Sequence, residues 1–321
     1  MFVVNLLLLL GFSYLLIKAV DVLIACITRL AEISRLGKFT LSAIILALAT
    51  SMPELVVSVT SALSGNSQMA LGTIIGSNIA DISLVIGGAA VLGGSFSVAG
   101  EWLKIDIFSV FLAGALPLIL LLDNTLSRSD GLILLSIFIL YNYGVLRLRS
   151  SGREKTGRLL KSMLTGPGHK RVDKLLLKLF LSAAALIISA DIMVKLAISI
   201  AHSLNVSVFL IGLFLVAVGT SLPELSFEIE SIRKRQVGMA LGDLFGSVVA
   251  NSTLILGLVA LINPIRLVNG WQEYALAAAA FGVVFLLFWG FIRSKKKLER
   301  WEGLALILVY FAFVLLEWGK T

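Results

Sequence analysis

Thr50-Ser51-Met52-Pro53-Glu54-Leu55 and Thr220-Ser221-Leu222-Pro223-Glu224-Leu225 are the two stretches that decide how this chain is read. The motif Thr-Ser-x-Pro-Glu-Leu occurs twice, 170 residues apart, each time inside an apolar stretch long enough to cross a bilayer. A glutamate in that setting is costly, and an ionisable group inside a membrane is by default a functional-site hypothesis.

Composition supplies the setting. Hydrophobic residues make up 58% of the 321 residues, charged ones 14%, and mean hydropathy is +1.00. A soluble domain could not bury that much apolar surface, so lipid must be the solvent for most of it. The N-terminus lacks a basic leader and a small-residue cleavage site, so residues 2–26 read as a retained helix. Cys26 is the only cysteine, which excludes an intramolecular disulfide.

Ten apolar segments can be marked: 2–26, 39–63, 69–94, 103–122, 130–147, 175–201, 207–231, 238–262, 272–292 and 301–318. Each is close to the roughly 20 residues a membrane helix needs. Of the 27 Lys and Arg, 21 fall in or beside the loops after helices 1, 3, 5, 7 and 9. Only Arg128, Arg266 and Lys320 fall on the other side, and Lys18, Lys178 and Lys195 lie within helices. By the positive-inside rule both termini are expected to face outward and the 148–174 loop to face the cytoplasm of a multi-pass cell-membrane protein. The net charge of +8 is therefore a topology signal, and no nucleic-acid partner is expected.

Sliding the chain on itself by 170 residues aligns more than the motif. Asp21 falls on Asp191, Phe39 on Phe209, Gly72 on Gly242, and Gly76-Ser77 on Gly246-Ser247. With a two-residue slip, Asp130-Gly131 meets Glu302-Gly303. The expected fold is all-α and integral to the membrane: ten transmembrane helices as two five-helix repeats, 1–147 and 175–321, joined by a basic linker at 148–174. Because five is odd, the second repeat enters the membrane from the opposite side. Inverted repeats of this kind are common in secondary transporters, which bind their cargo between the repeats at the midplane.

The chemistry of the repeated residues is that of hard cations. Pro53 and Pro223 cannot donate a backbone hydrogen bond, so the carbonyls of Ala49 and Gly219 are expected to be free. Each motif then offers a carbonyl, two hydroxyls and a carboxylate. The next segment adds an oxygen ladder at i, i+4 spacing, Thr73-Ser77-Asp81 in the first half and Asp243-Ser247-Asn251 in the second. Oxygen donors without imidazole or thiolate suit Ca²⁺ and Na⁺ rather than zinc or copper. Flanking glycines are equally consistent with plain helix-packing seams.

Thr-Ser-x-Pro-Glu-Leu followed about 18 residues later by Gly-x-x-x-Gly-Ser-x-x-Ala-[Asp/Asn] resembles the paired repeats of the cation/calcium exchanger superfamily, nearest to prokaryotic sodium/calcium exchangers. The likeness spans essentially all ten segments. It implies a central cluster of ion sites in which Glu54 and Glu224 bind Ca²⁺, helped by Thr50 and Thr220. It further implies sodium sites drawn from Ala47, Ser51, Ser77, Asp81, Ala217, Ser221, Ser247 and Asn251. The implied protein is not an enzyme, needs no cofactor, and has lipid, Ca²⁺ and Na⁺ or H⁺ as partners, while the sequence leaves its oligomeric state open between a monomer and a larger assembly.

Three positions depart from the family pattern. Related exchangers often carry an amide in the first repeat and an acid in the second, whereas Asp81 and Asn251 reverse that order. Ser58 is matched by Glu228, and Thr73 by Asp243. Both extra acids fall on the inner half of the expected topology, Glu228 about 6 Å nearer the cytoplasm than Glu224. Two readings of Glu228 stand: an acidic cytoplasmic vestibule shared with Asp243, or a structural pair with the Arg233-Lys234-Arg235 cluster. Lys18 with Asp21, and Asp191 with Lys195, have the spacing of local helix pairs, and Glu230 should face solvent or a basic neighbour. Function is accordingly read as exchange of Ca²⁺ for Na⁺, with H⁺/divalent antiport as the alternative and a non-transporting scaffold as the third reading.

Overall fold

The computed structural model describes residues 2–33, 50–98, 102–149, 169–267 and 270–319. Helices dominate: α1 (Phe2–Ile33), α2 (Met52–Leu63), α3 (Ser67–Gly93), α4 (Trp102–Leu120) and α5 (Arg128–Arg149) in the first half. In the second half come α6 (His169–Leu204), α7 (Val208–Thr220), α8 (Leu222–Arg233), α9 (Val237–Ile262), α10 (Ala275–Lys295) and α11 (Arg300–Trp318). Six described helices are long and apolar enough to cross a bilayer, and the bent pair α7–α8 makes a seventh span if counted together. Every apolar segment marked in the sequence falls on a helix, the second only in its C-terminal part, because residues 34–49 lie outside the described residues. Two boundaries differ. α1 continues to Ile33 and α6 already starts at His169, so the last residues of the expected 148–174 linker are helical. In both cases the helix runs past the apolar stretch through a polar turn, which hydropathy alone does not register.

The outer surface is apolar where a soluble protein would be polar: Leu7, Phe180 and Leu315 are 63%, 70% and 74% exposed. α1 packs along α6 through Leu9, Leu16, Val20, Leu186, Ala190 and Ala197, and the cluster continues into Val57 of α2, Met69 of α3 and Ile211 of α7. The larger core gathers α3, α4, α7, α9, α10 and α11 around residues such as Ile74, Phe209, Val248, Phe288 and Tyr310.

Close approach in that core depends on two reciprocal glycine contacts. A Cβ on Gly87 would lie 2.6 Å from the Gly303 carbonyl oxygen, and one on Gly303 would lie 2.7 Å from that of Gly87. Gly131 and Gly257 meet in the same way, at 2.8 and 3.1 Å. Two short ribbons, β1 (Phe96–Ser97) with β4 (Lys297–Leu298) and β2 (Thr125–Leu126) with β3 (Ile265–Arg266), tie the halves together. The matched acids Asp130 and Glu302 cap helices. Asp130 accepts from the Ser127 N–H at 2.8 Å, and Glu302 accepts from the Glu299 N–H at 2.8 Å. Outside the membrane spans, Glu299 is held down to about 2 by Lys297 first, then by Trp301 and Lys295.

The motif prolines follow breaks in the helices. α7 stops at Thr220, the chain turns at Ser221 (φ −84°, ψ 5°), and α8 restarts at Leu222 with a bend of 40°. Pro223 thus occupies the start of a new helix, where its missing N–H is not needed. Ser51 turns in the same way (φ −78°, ψ 8°) before α2, with Pro53 at the equivalent place. Ala49 lies outside the described residues. The helices near these turns are locally widened into π-turns at Asp81–Val85, Ile211–Val216 and Ala250–Ile255, a distortion that frequently marks functional positions.

Candidate cation site

Both breaks point polar residues at the ladder helix of the opposite half, α9 for the first and α3 for the second. Thr50 donates to Asp243 Oδ1 at 2.8 Å and lies 3.5 Å from the Ser247 hydroxyl on α9. Thr220 makes the reciprocal approach, 3.5 Å from the Ser77 hydroxyl on α3. The Glu54 carboxylate faces Thr220 and Ser77, and Asp81 faces Ser221. So the turn of each half meets the ladder of the other, which neither half could show by itself.

Five carboxylates converge here. Glu54, Asp81, Glu224, Glu228 and Asp243 are each at most 2% exposed. Glu224 lies within electrostatic reach of Glu54, Asp81 and Asp243, and Glu228 within reach of Asp243 and Asp81. No Lys or Arg forms an ion pair with any of them among the described residues. Several of their oxygens have no hydrogen-bond partner: both of Glu54 and Glu228, Oε2 of Glu224, Oδ1 of Asp81 and Oδ2 of Asp243. The Ser51 and Ser221 hydroxyls and Asn251 Oδ1 are likewise unpartnered. An isolated buried carboxylate is so costly that the group must be neutralised by a cation or a proton.

The donor set fits a hard cation. Among the described residues no three His, Cys, Asp or Glu side chains are arranged to hold a metal ion by themselves. Ca²⁺ takes six to eight oxygens, so hydroxyls and backbone carbonyls must complete any shell here. The carbonyl of Ala217 already accepts from the Ser221 N–H at 3.0 Å and the Thr220 hydroxyl at 3.1 Å. Ala47 lies outside the described residues.

Other sequence expectations can be placed. Lys18 binds Asp21 at 3.2 Å and Lys195 binds Asp191 at 2.6 Å, both as exposed local pairs away from the acids. Lys234 takes Glu230 at 3.0 Å, and Arg233 donates to the Leu92 carbonyl at 3.4 Å. Neither reaches Glu228, which is fully buried, so the structural-pair reading of that residue is not what the fold adopts. Glu228 and Asp243 both belong to the buried cluster. Sequence reasoning passed over Asn78 and Ser252. Asn78 donates to Ser252 Oγ at 2.7 Å and accepts from Asn251 Nδ2 at 3.2 Å, all three being buried. Asn78 stands inside the quoted Gly-Ser-x-x-Ala motif, but its counterpart 170 residues on is Val248, so the repeat comparison gave no sign of it.

The family model described as sodium/calcium exchanger protein matches residues 4–147 and 174–319. This chain belongs to the sodium/calcium exchanger family, a class of multi-pass membrane antiporters. It is similar to the sodium/calcium exchanger MaX1 of Methanosarcina acetivorans, 27% identical with 98% of each chain covered. It is 29% identical to the putative antiporter CaxA of Alkalimonas amylolytica, over 93% of this chain and 94% of that one. The inner membrane protein YrbG of Escherichia coli is 32% identical over 68% of both chains. Among solved structures, the sodium–calcium exchanger NCX_Mj superposes with a TM-score of 0.67 at 25% identity, covering 98% of this chain and 99% of that one.

Proposed function

We propose that this protein is a secondary active antiporter exchanging Ca²⁺ for Na⁺ by alternating access. The observation that carries this reading is the cluster of five buried carboxylates without a basic partner, edged by unpartnered hydroxyls at two helix breaks. Glu54 and Glu224, with Thr50 and Thr220, bind Ca²⁺. Ser51, Ser77, Asp81, Ser221, Ser247 and Asn251, with the carbonyls of Ala47 and Ala217, bind Na⁺. Because these acids cannot remain charged and empty in a dry interior, one ion leaves only as another arrives, and shared oxygens couple the fluxes. Glu228 and Asp243 add negative charge on one side of the cluster and favour cation entry from there.

The scaffold for this cycle is ten transmembrane helices in two inverted repeats, 1–147 and 175–321, around the 148–174 linker. The reciprocal contacts Thr50–Ser247 and Thr220–Ser77, Gly87–Gly303 and Gly257–Gly131, and β1–β4 and β3–β2 support it, since each is the image of its partner under a shift of 169 to 172 residues. Both termini face outward and the 148–174 loop faces the cytoplasm, on the strength of the Lys and Arg distribution.

The alternative is H⁺/Ca²⁺ antiport, favoured by the extra carboxylate of Glu228. The hydroxyls beside both glutamates favour Na⁺. Purified protein in Ca²⁺-loaded liposomes, under an imposed Na⁺ gradient or an imposed pH gradient, separates the two. Ca²⁺ flux is expected with the Na⁺ gradient at matched pH; flux driven only by the pH gradient transfers the role to protons, and flux under neither removes the antiporter reading.

A further inference from the structure

An amide beside a cation site is useful in only one orientation. Its carbonyl oxygen is a ligand; its NH₂ end carries partial positive charge and repels the ion. A carboxylate has no such ambiguity, because its two oxygens are equivalent. The two ladders differ in this respect, ending on Asp81 in α3 and on Asn251 in α9. Asp81 needs nothing to orient it. Asn251 does.

The fold supplies that orienting group once, on the side where it is needed. Asn251 Nδ2 donates to Asn78 Oδ1 at 3.2 Å, leaving Asn251 Oδ1 unpartnered in the buried cluster. Asn78 Nδ2 in turn donates to Ser252 Oγ at 2.7 Å, so the Asn78 amide is engaged at both ends. Ser252 is 0% exposed, Asn251 1% and Asn78 3%. The void beside Asn78 and Ser252 is about 10 Å³ and is lined by Ile74, Pro117, Leu118 and Phe281. That is at the lower limit for one water. The counterparts of Asn78 and Ser252 in the other half are Val248 and Ile82, so the acid-bearing ladder has no equivalent.

We propose that Asn78, hydrogen-bonded to Ser252, is a positioning residue that turns the Asn251 side-chain oxygen toward the transported cation. The proposal rests on the Na⁺-ligand reading of Asn251 given above. Outer-shell partners of this kind, when removed, typically change metal affinity 10–100-fold.

The test uses the full-length protein in liposomes, reading half-saturating Na⁺ and maximal rate for Na⁺-driven Ca²⁺ flux. Asn78→Val, which copies the residue of the other half, and Ser252→Ala are each expected to raise half-saturating Na⁺ by about 10-fold or more with the maximal rate within about twofold. Ser252→Thr keeps the hydroxyl and is expected to restore the wild-type value. A merely structural role would lower the amount of folded protein and the maximal rate instead, with no rescue specific to the hydroxyl. If Asn78→Val fails to fold, Ser252→Ala against Ser252→Thr decides alone. Unchanged half-saturating Na⁺ in folded Asn78→Val or Ser252→Ala, or no difference between Ala and Thr at 252, overturns the proposal. Asn251→Ala separates the two levels. If it raises half-saturating Na⁺ while the Asn78 and Ser252 variants do not, only the positioning role fails; if it changes nothing, the ligand reading of Asn251 fails and takes the positioning role with it.

Discussion

At the residue scale, Glu54 and Glu224 are each 1–2% exposed and have oxygens without protein partners. Removing one partner of a buried charge interaction typically costs about 3–5 kcal/mol, so Glu54→Gln or Glu224→Gln should lower Ca²⁺ uptake by roughly 100-fold or more at sub-saturating Ca²⁺. The same variants should melt at a higher temperature than wild type when no cation is present, since one of five mutually repelling acids is gone. Radiolabelled Ca²⁺ uptake and cation-free thermal melts check both halves of that expectation; a variant that loses uptake and also melts earlier would mean a packing role instead. These two glutamates were legible in the sequence because the same costly residue recurs in the same frame. Asn78 was not, because its role comes from contacts with Ser252 and Asn251, more than 170 positions away.

At the element scale, the helix crossings depend on bare backbone meeting bare backbone. Gly303→Ala would place a Cβ 2.7 Å from the Gly87 carbonyl oxygen, and α11 would have to retreat from α3. A loss of about 1–3 kcal/mol is expected, read as a lower melting temperature in detergent. Gly290→Ala in α10 is the control, because a Cβ there meets nothing within 4 Å and gains about 0.5–1 kcal/mol of helix propensity. Equal melting of both variants would show that the α3–α11 crossing is looser than drawn. Glu299 tests the β4–α11 connection. Its carboxyl is held down to about 2 from an ordinary 4.5, so its stabilising contribution is present above about 4.5 and is lost as pH falls through about 2. Glu299→Gln should therefore melt earlier than wild type at neutral pH, with the gap closing between those two values. The sequence predicted helices here well, but not the break before the proline. The helix actually ends at Ser221 and begins again, which lets Pro223 sit where no N–H is needed.

At the scale of the whole molecule, the proposed orientation predicts which surfaces each compartment can reach. With Cys26 replaced by Ala, a single cysteine at Ser151 should react with a membrane-impermeant maleimide only from the cytoplasmic face. One at Asn124, between α4 and α5, should react only from outside. Labelling of both from one side would overturn the alternating topology. The sequence by itself determined that the chain lives in lipid, that it is built on a repeated motif, and that two matched glutamates are its costly residues. Composition and recurrence are local quantities, readable without coordinates. Only the tertiary structure decided that each Thr-Ser turn faces the ladder of the other half, and that Glu228 and Asp243 are buried with Glu54, Asp81 and Glu224 rather than paired with the basic cluster. Those outcomes depend on how helices far apart in the chain cross. The free energy of a buried charge is set by the neighbours brought to it in space, which spacing along a single chain does not specify.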